Sequence, residues 1–275
     1  MLYTGDGYIF TFPQGRRVGK FRFGQRADVA VEGICSDSHG DVFVSANKAE
    51  LDSHIYEYAH GGTRPIADLS EETEVGQCSV DQTTGDLAII AFYASAPTKI
   101  AIYAKARGTP RFYSDHQLSI LSCAYDDKGN LFIAGRSAKL GSFRLAELRK
   151  GASHFTHVSL PKQPVSLQAS HVQWDGTYLA LTLLKTVQGK VEATLIYRVR
   201  VSGKTGTIVS VTHLNSSGTQ PLSTWIEGGI VAANQTETPH DIGFWQYPSG
   251  GMPIKVIHGF SDRDLIGGLT VSVAP

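Results

Sequence analysis

The sequence predicts an all-β chain folded as a six-bladed β-propeller of four-stranded antiparallel blades. Three observations carry that expectation: a motif returning roughly every 45 residues, a tight turn of Asp or Glu with Gly inside each repeat, and an inner strand absent from the first repeat that reappears at the end of the chain.

The first recurring element is an alternating apolar strand that ends in an aromatic residue or Leu, followed by two residues and a Gly. It reads Ile9-Phe10-Thr11-Phe12-Pro13-Gln14-Gly15, Ile55-Tyr56-Glu57-Tyr58-Ala59-His60-Gly61, Leu145-Ala146-Glu147-Leu148-Arg149-Lys150-Gly151 and Phe244-Trp245-Gln246-Tyr247-Pro248-Ser249-Gly250, with looser copies ending at Tyr103-Ala104-Lys105 and Val201-Ser202-Gly203. Alternation has period two, so these are strands with one face packed inward, Leu145–Arg149 included. The second element lies about 20 residues upstream of the first, as one blade per repeat requires. Its copies run Gly33–Val44, Cys78–Ile89, Cys123–Ile133, Val172–Leu179 and Ser223–Val231. In each, Asp or Glu caps its own backbone and Gly supplies the positive φ of a tight hairpin.

The ends of the sequence complete the pattern. Leu2-Tyr3-Thr4 reads as a second strand and Tyr8–Phe12 as a third, and Gly267–Val273 supplies the inner strand they lack. A C-terminal strand joining the N-terminal blade closes the ring and removes a free edge. The expectation is one domain over residues 1–275.

Composition narrows the partners. The 25 Lys+Arg balance 25 Asp+Glu, so a nucleic-acid partner is not expected. No apolar run approaches the ~20 residues of a membrane span, so no membrane insertion is expected. Met1–Asp6 has neither a basic start nor an apolar core; the reading is an extracytoplasmic or secreted protein whose signal is absent from this sequence, with the cytoplasm left open.

Catalytic signatures are sparse. Gly203-Lys204-Thr205 imitates the end of a phosphate loop, but Arg198 stands where the required Gly belongs, and a hairpin turn is the expectation. His154 and His157 fall on opposite faces if they share a strand. Trp174, Trp225 and Trp245 read as blade packing. Cys35, Cys78 and Cys123 occupy the inner strands of successive repeats and read first as small buried apolar residues, second as a disulfide between neighbours such as Cys78 and Cys123, and last as a catalytic thiol.

The Gly-x-x-x-Asp-x-x-Gly-x-ψ-x-ψ pattern of Gly33–Val44 resembles that of the six-bladed NHL-repeat and gluconolactonase-like propellers. The phrases Asp81–Ala88, Tyr125–Phe132 and Tyr247–Gly251 are similar to those of uncharacterised exported bacterial propeller proteins. The resemblance implies a ligand site at one mouth of a central channel, where inner strands begin and loops converge. It places Gln77, Tyr93, Arg136 and Asp6 as ligand-binding candidates. In the gluconolactonase-like enzymes a Glu before Gly at an inner-strand start joins Asn and Asp around a divalent ion; here that implies Glu32 with Asn47, Asp52 and Asn234 around Ca or Mg, and His171 as base. The Asn-Gly and Asp-Gly-x-Asp ligand strings of that family have no counterpart at this mouth. The leading expectation is therefore a monomeric, non-catalytic binding or scaffold protein that takes a protein, peptide or saccharide at the channel mouth or rim loops. The alternative is a divalent-metal-dependent lactonase or hydrolase.

Overall fold

Period-two alternation becomes strand after strand in the computed structural model, which describes residues 1–5, 7–20, 29–49, 52–93, 96–139, 141–160, 167–187, 190–215, 223–235, 241–258 and 268–273. Along the chain, β1 (Leu2–Thr4), β2 (Tyr8–Phe10) and β3 (Arg17–Lys20) begin blade 1. Blade 2 is β4 (Ala30–Ser36), β5 (Val42–Ala49), β6 (Asp52–Tyr58) and β7 (Ala67–Glu71). Blade 3 is β8 (Glu74–Val80), β9 (Leu87–Tyr93), β10 (Ala96–Tyr103) and β11 (Arg111–Ser114). Blade 4 is β12 (Leu118–Tyr125), β13 (Leu131–Ser137), β14 (Phe143–Leu148) and β15 (Thr156–Val158). Blade 5 is β16 (Leu167–Trp174), β17 (Leu179–Val187), β18 (Lys190–Ser202) and β19 (Thr205–Leu214). Blade 6 is β20 (Thr224–Glu227), β21 (Ile230–Gln235), β22 (Asp241–Gln246) and β23 (Lys255–Ile257). Last, β24 (Leu269–Val271) pairs antiparallel with β1, Tyr3 opposite Thr270, and completes blade 1. The fold is a six-bladed β-propeller.

The chain forms two compact units, residues 1–114 with 265–275 and residues 115–264, three blades in each. In the first, Cys35, Phe43, Ile55, Val75, Leu87 and Ile89 are among the residues that bury one core between blades 2 and 3. In the second, Phe132, Leu145, Leu181 and Val199 pack blade 4 on blade 5, and Ile196, Val231 and Trp245 pack blade 5 on blade 6. Trp245 is 1% exposed and its Nε1 donates to Asn215 O at 3.2 Å, so its role is packing, as expected.

The turns are built as the sequence indicates. Asp37 Oδ1 accepts the backbone N–H of His39 and Asp41, Asp126 Oδ1 those of Lys128 and Asn130, and Asp175 Oδ1 those of Thr177 and Tyr178. The looser copy at Tyr103–Lys105 has a physical reason. Its turn puts Lys105 (φ 50°) and Ala106 (φ 52°) in the left-handed region that Gly61 (φ 71°) and Gly151 (φ 80°) occupy in the clean copies. Gly203-Lys204 forms the β18–β19 hairpin turn, closed by Ser202 opposite Thr205.

Two expectations are corrected. Cys35 and Cys78 form a disulfide between the inner strands of blades 2 and 3, while Cys123 stays a buried thiol; Cys35 and Cys78 bring their Cα atoms to 5.7 Å because both stand where adjacent inner strands touch. His154 precedes β15 rather than lying on it, and His157 Nε2 instead approaches Asp115 Oδ2 at 3.0 Å.

Candidate functional site

Inner strands meet closely, so small residues come first. A β-carbon on Gly33 would stand 2.6 Å from both Gln77 Cα and Gly76 O, and Ser45 Oγ donates to Gly76 O at 2.5 Å. A bulge recurs near the start of four inner strands, between Val31 and Gly33, Val75 and Cys78, Ile120 and Ser122, and Ala169 and His171. Glu32 and Gln77 are bulge residues of neighbouring strands in the first unit. Glu32 is exposed; desolvation, and then the carboxylate of Glu74, hold its carboxyl above the ordinary range.

The other metal candidates are engaged. Asn47 Oδ1 accepts from Val75 N at 3.0 Å and from Ser53 Oγ at 2.7 Å, and its Nδ2 donates to Val75 O at 3.1 Å. Both lone pairs of that oxygen are used, so Asn47 acts as a clamp between blades 2 and 3. Asp52 Oδ1 is 3.0 Å from His54 Nε2. In the second unit, buried Asn234 accepts the N–H of Ser223 at 2.9 Å. Among the described residues, no group of three His, Cys, Asp or Glu is arranged to hold a metal ion. These partners do not fit a cation cage of Asn47, Asp52 and Asn234, and no step is derived through one.

His171, the candidate base, is buried in β16 opposite Thr182, and its Nδ1 has no hydrogen-bond partner among the described residues. Burial lowers its pKa to about 4. Arg136 is exposed on β13, its backbone opposite Ser119 and Phe143. Asp6 lies outside the described residues. Burial also pushes the Cys123 thiol up to about 12, which leaves it protonated at neutral pH.

Tyr93 lines a groove of about 660 Å³ formed by blades 2 and 3, entirely within the first unit. Asp68 and Glu71 of β7, Glu72 after it, Tyr103 of β10 and Phe112 of β11 are the other determining groups. Tyr103 Oη donates to the Glu71 carboxylate; burial, and then that bond, raise the phenol pKa. Tyr93 is raised too, by burial and then by Glu71. Lys99 Nζ sits 4.6 Å from the Tyr93 ring centroid and 5.7 Å from that of Phe112, a residue 46% exposed. At one end, Asp68 Oδ1 is 2.7 Å from His54 Nδ1, and His54 stacks on Tyr56 with centroids 5.3 Å apart. The groove thus joins three carboxylates to aromatic faces that already hold one ammonium group.

From the sequence, Tyr93 was named as a ligand-binding candidate, and Glu71, Glu72 and Phe112, which line the same groove, were not. The acidic run Glu71-Glu72-Thr73-Glu74 was visible, but nothing in the sequence placed it across a groove from β11.

A comparison with protein-family models finds no match, and neither does one with curated proteins. Solved structures do resemble the chain. The β-propeller domain of Cps50 (Swd1) from Myceliophteria thermophila matches with a TM-score of 0.52 at 8% identity, over 92% of this chain and 80% of that one. Hydrazine synthase of Kuenenia stuttgartiensis matches with a TM-score of 0.57 at 9% identity, over 83% of this chain and 67% of that one. At such identities the likeness shows the propeller fold alone.

Proposed function

We propose that this propeller is a non-catalytic binding protein that takes a basic segment of a protein or peptide partner in the groove of blades 2 and 3. The observation that carries the reading is the pairing of Asp68, Glu71 and Glu72 with the faces of Tyr93 and Phe112. Carboxylates attract a Lys or Arg side chain, and aromatic faces hold its charged head by the ring quadrupole. Lys99 shows the geometry, since its own ammonium group sits over both rings. We also place the protein outside the reducing cytosol, on the support of the Cys35–Cys78 bridge.

The test is fluorescence anisotropy of the full chain with a labelled peptide of alternating Arg and Gly, against one of alternating Glu and Gly. The Arg peptide binds more tightly, and Glu72→Lys with Phe112→Ala weakens it by about tenfold or more. Equal affinity for the two peptides, or no loss in the variant, overturns the reading. The lactonase alternative rests on Glu32 and its crowding by Glu74. It predicts that calcium raises the melting temperature and that Glu32→Gln abolishes the rise; the binding reading predicts equal melting with calcium and with chelator.

A further inference from the structure

The charges of this chain balance in number but are not evenly mixed. Between Asp6 and Asp28 the sequence holds five cations, Arg16, Arg17, Lys20, Arg22 and Arg26, and no acid. Three of them stand at the outer edge of blade 1: Arg17 opens β3, Lys20 closes it and Arg16 immediately precedes it, all exposed. β7, the outer strand of the next blade in the same unit, carries Asp68 and Glu71 instead, so the run of positive charge does not continue onto it.

Residues three apart on a regular strand point to opposite faces. Here Ile9 pairs with Gly19 and Phe10 with Arg17, so Val18 is the extra residue of a bulge, and Arg17 returns to the face that Lys20 occupies. Tyr8, opposite Lys20, receives both: Arg17 Cζ is 3.9 Å and Lys20 Nζ 4.5 Å from its ring centroid. Two like charges thus converge on one ring. Elsewhere Arg107, Arg149 and Arg198 are each answered by a carboxylate, of Glu57, Glu147 and Asp175. Among the described residues, no carboxylate forms an ion pair with Arg16, Arg17 or Lys20. The Tyr8 ring holds two of these cations in place without neutralising them, so an incoming anion meets donors that are already ordered. Val18, the bulged residue between them, is 46% exposed.

We propose that this edge of blade 1 is a contact surface for membranes rich in anionic phospholipid, on which the protein rests without inserting. Phosphodiester headgroups carry the oxyanions that guanidinium and ammonium donors take. Screening confines the attraction to about 10 Å at 0.1 M salt, so a chain of zero net charge is still drawn to an anionic surface through one exposed basic edge. The apolar residue decides between polyanions. A dissolved polyanion calls for cations alone, whereas the boundary of a bilayer also rewards an apolar side chain set among them. Val18 supplies one, and the sequence continues the alternation as Phe21-Arg22-Phe23.

The test is flotation of the full chain with vesicles of phosphatidylcholine alone and of equal parts phosphatidylcholine and phosphatidylglycerol. The expected result is recovery with the anionic vesicles only, lost as salt rises from about 0.1 to about 1 M. Arg17→Gln with Lys20→Gln lowers the partition coefficient by about tenfold or more, while Lys128→Gln with Lys204→Gln, of equal net charge, leaves it unchanged. Should the first pair unsettle Tyr8, Arg16→Gln provides the second measurement, with a loss of about fivefold. Val18→Ser lowers vesicle binding and leaves heparin retention as it was. Equal recovery with both vesicles, equal loss in the two glutamine pairs, no loss in Arg16→Gln, or heparin preferred to the anionic vesicles at equal charge concentration overturns the proposal. The groove of blades 2 and 3 plays no part in these measurements, so peptide binding and membrane contact fail independently.

Discussion

Replacing Cys35 and Cys78 together by Ala is expected to cost about 4 kcal/mol of stability, from the chain-entropy relation applied to a bridge of sequence separation 43. The relation gives the loss from freeing the unfolded chain, and the native state adds little, because Ala also fits a small apolar position. Both cysteines lie in the core shared by blades 2 and 3, at 1% and 6% exposure, among Phe43, Val75 and Ile89. Equilibrium unfolding in guanidinium, comparing the oxidised chain with the double variant, reads the difference directly. Since the remaining thiol, Cys123, is buried and held protonated by its surroundings, it does not exchange with the bridge while the chain is folded. A difference below about 1 kcal/mol would mean that the bridge constrains nothing the core does not already fix.

The second large effect is a loss of stability in acid centred on His171. Its pKa is about 4 in the folded chain and 6.5 when unfolded, so between those values the unfolded state binds the extra proton. Stability is full above pH 6.5, falls as pH drops towards 4, and has then lost about 3 kcal/mol from this residue alone. His171→Leu removes the titration and leaves an apolar side chain at a buried site. The measurement is the difference in unfolding free energy between pH 7 and pH 4 for the two chains. The variant loses less, by about 3 kcal/mol, and an equal loss in both would show that His171 is hydrated and titrates normally. The residue proposed as a base on the family resemblance is thus placed where protonation costs stability.

Much of the fold was legible because its grammar is local. A turn needs Asp and Gly within a few residues, a strand needs alternation, and both are visible in one repeat. The missing inner strand of blade 1 could be matched to Gly267–Val273 for the same reason, since β24 carries the same alternation as its counterparts. The groove was not legible, because Phe112 and Glu72 stand 40 residues apart in sequence and meet only through the packing of two blades. The disulfide was legible as a position but not as a pairing. Cys35, Cys78 and Cys123 hold equivalent places, and only the close approach at Gly33 and Gln77 distinguishes the pair that joins. Asn47 and Asn234 looked like open ligands because a sequence shows which side chains have donors and acceptors, not which are already satisfied.

Blade 1 takes its inner strand from the far end of the chain, with Leu2 opposite Val271. During synthesis, β1 leaves the ribosome long before β24 exists. Leu2 and Tyr3, fully buried in the finished molecule, have no sheet partner on that side until the last blade has been made. Blades 2 to 6 each hold their four strands in one continuous stretch and can assemble as they emerge; blade 1 must wait. Vectorial folding here therefore runs from the second blade onward, and the first blade to be translated is the last to be completed.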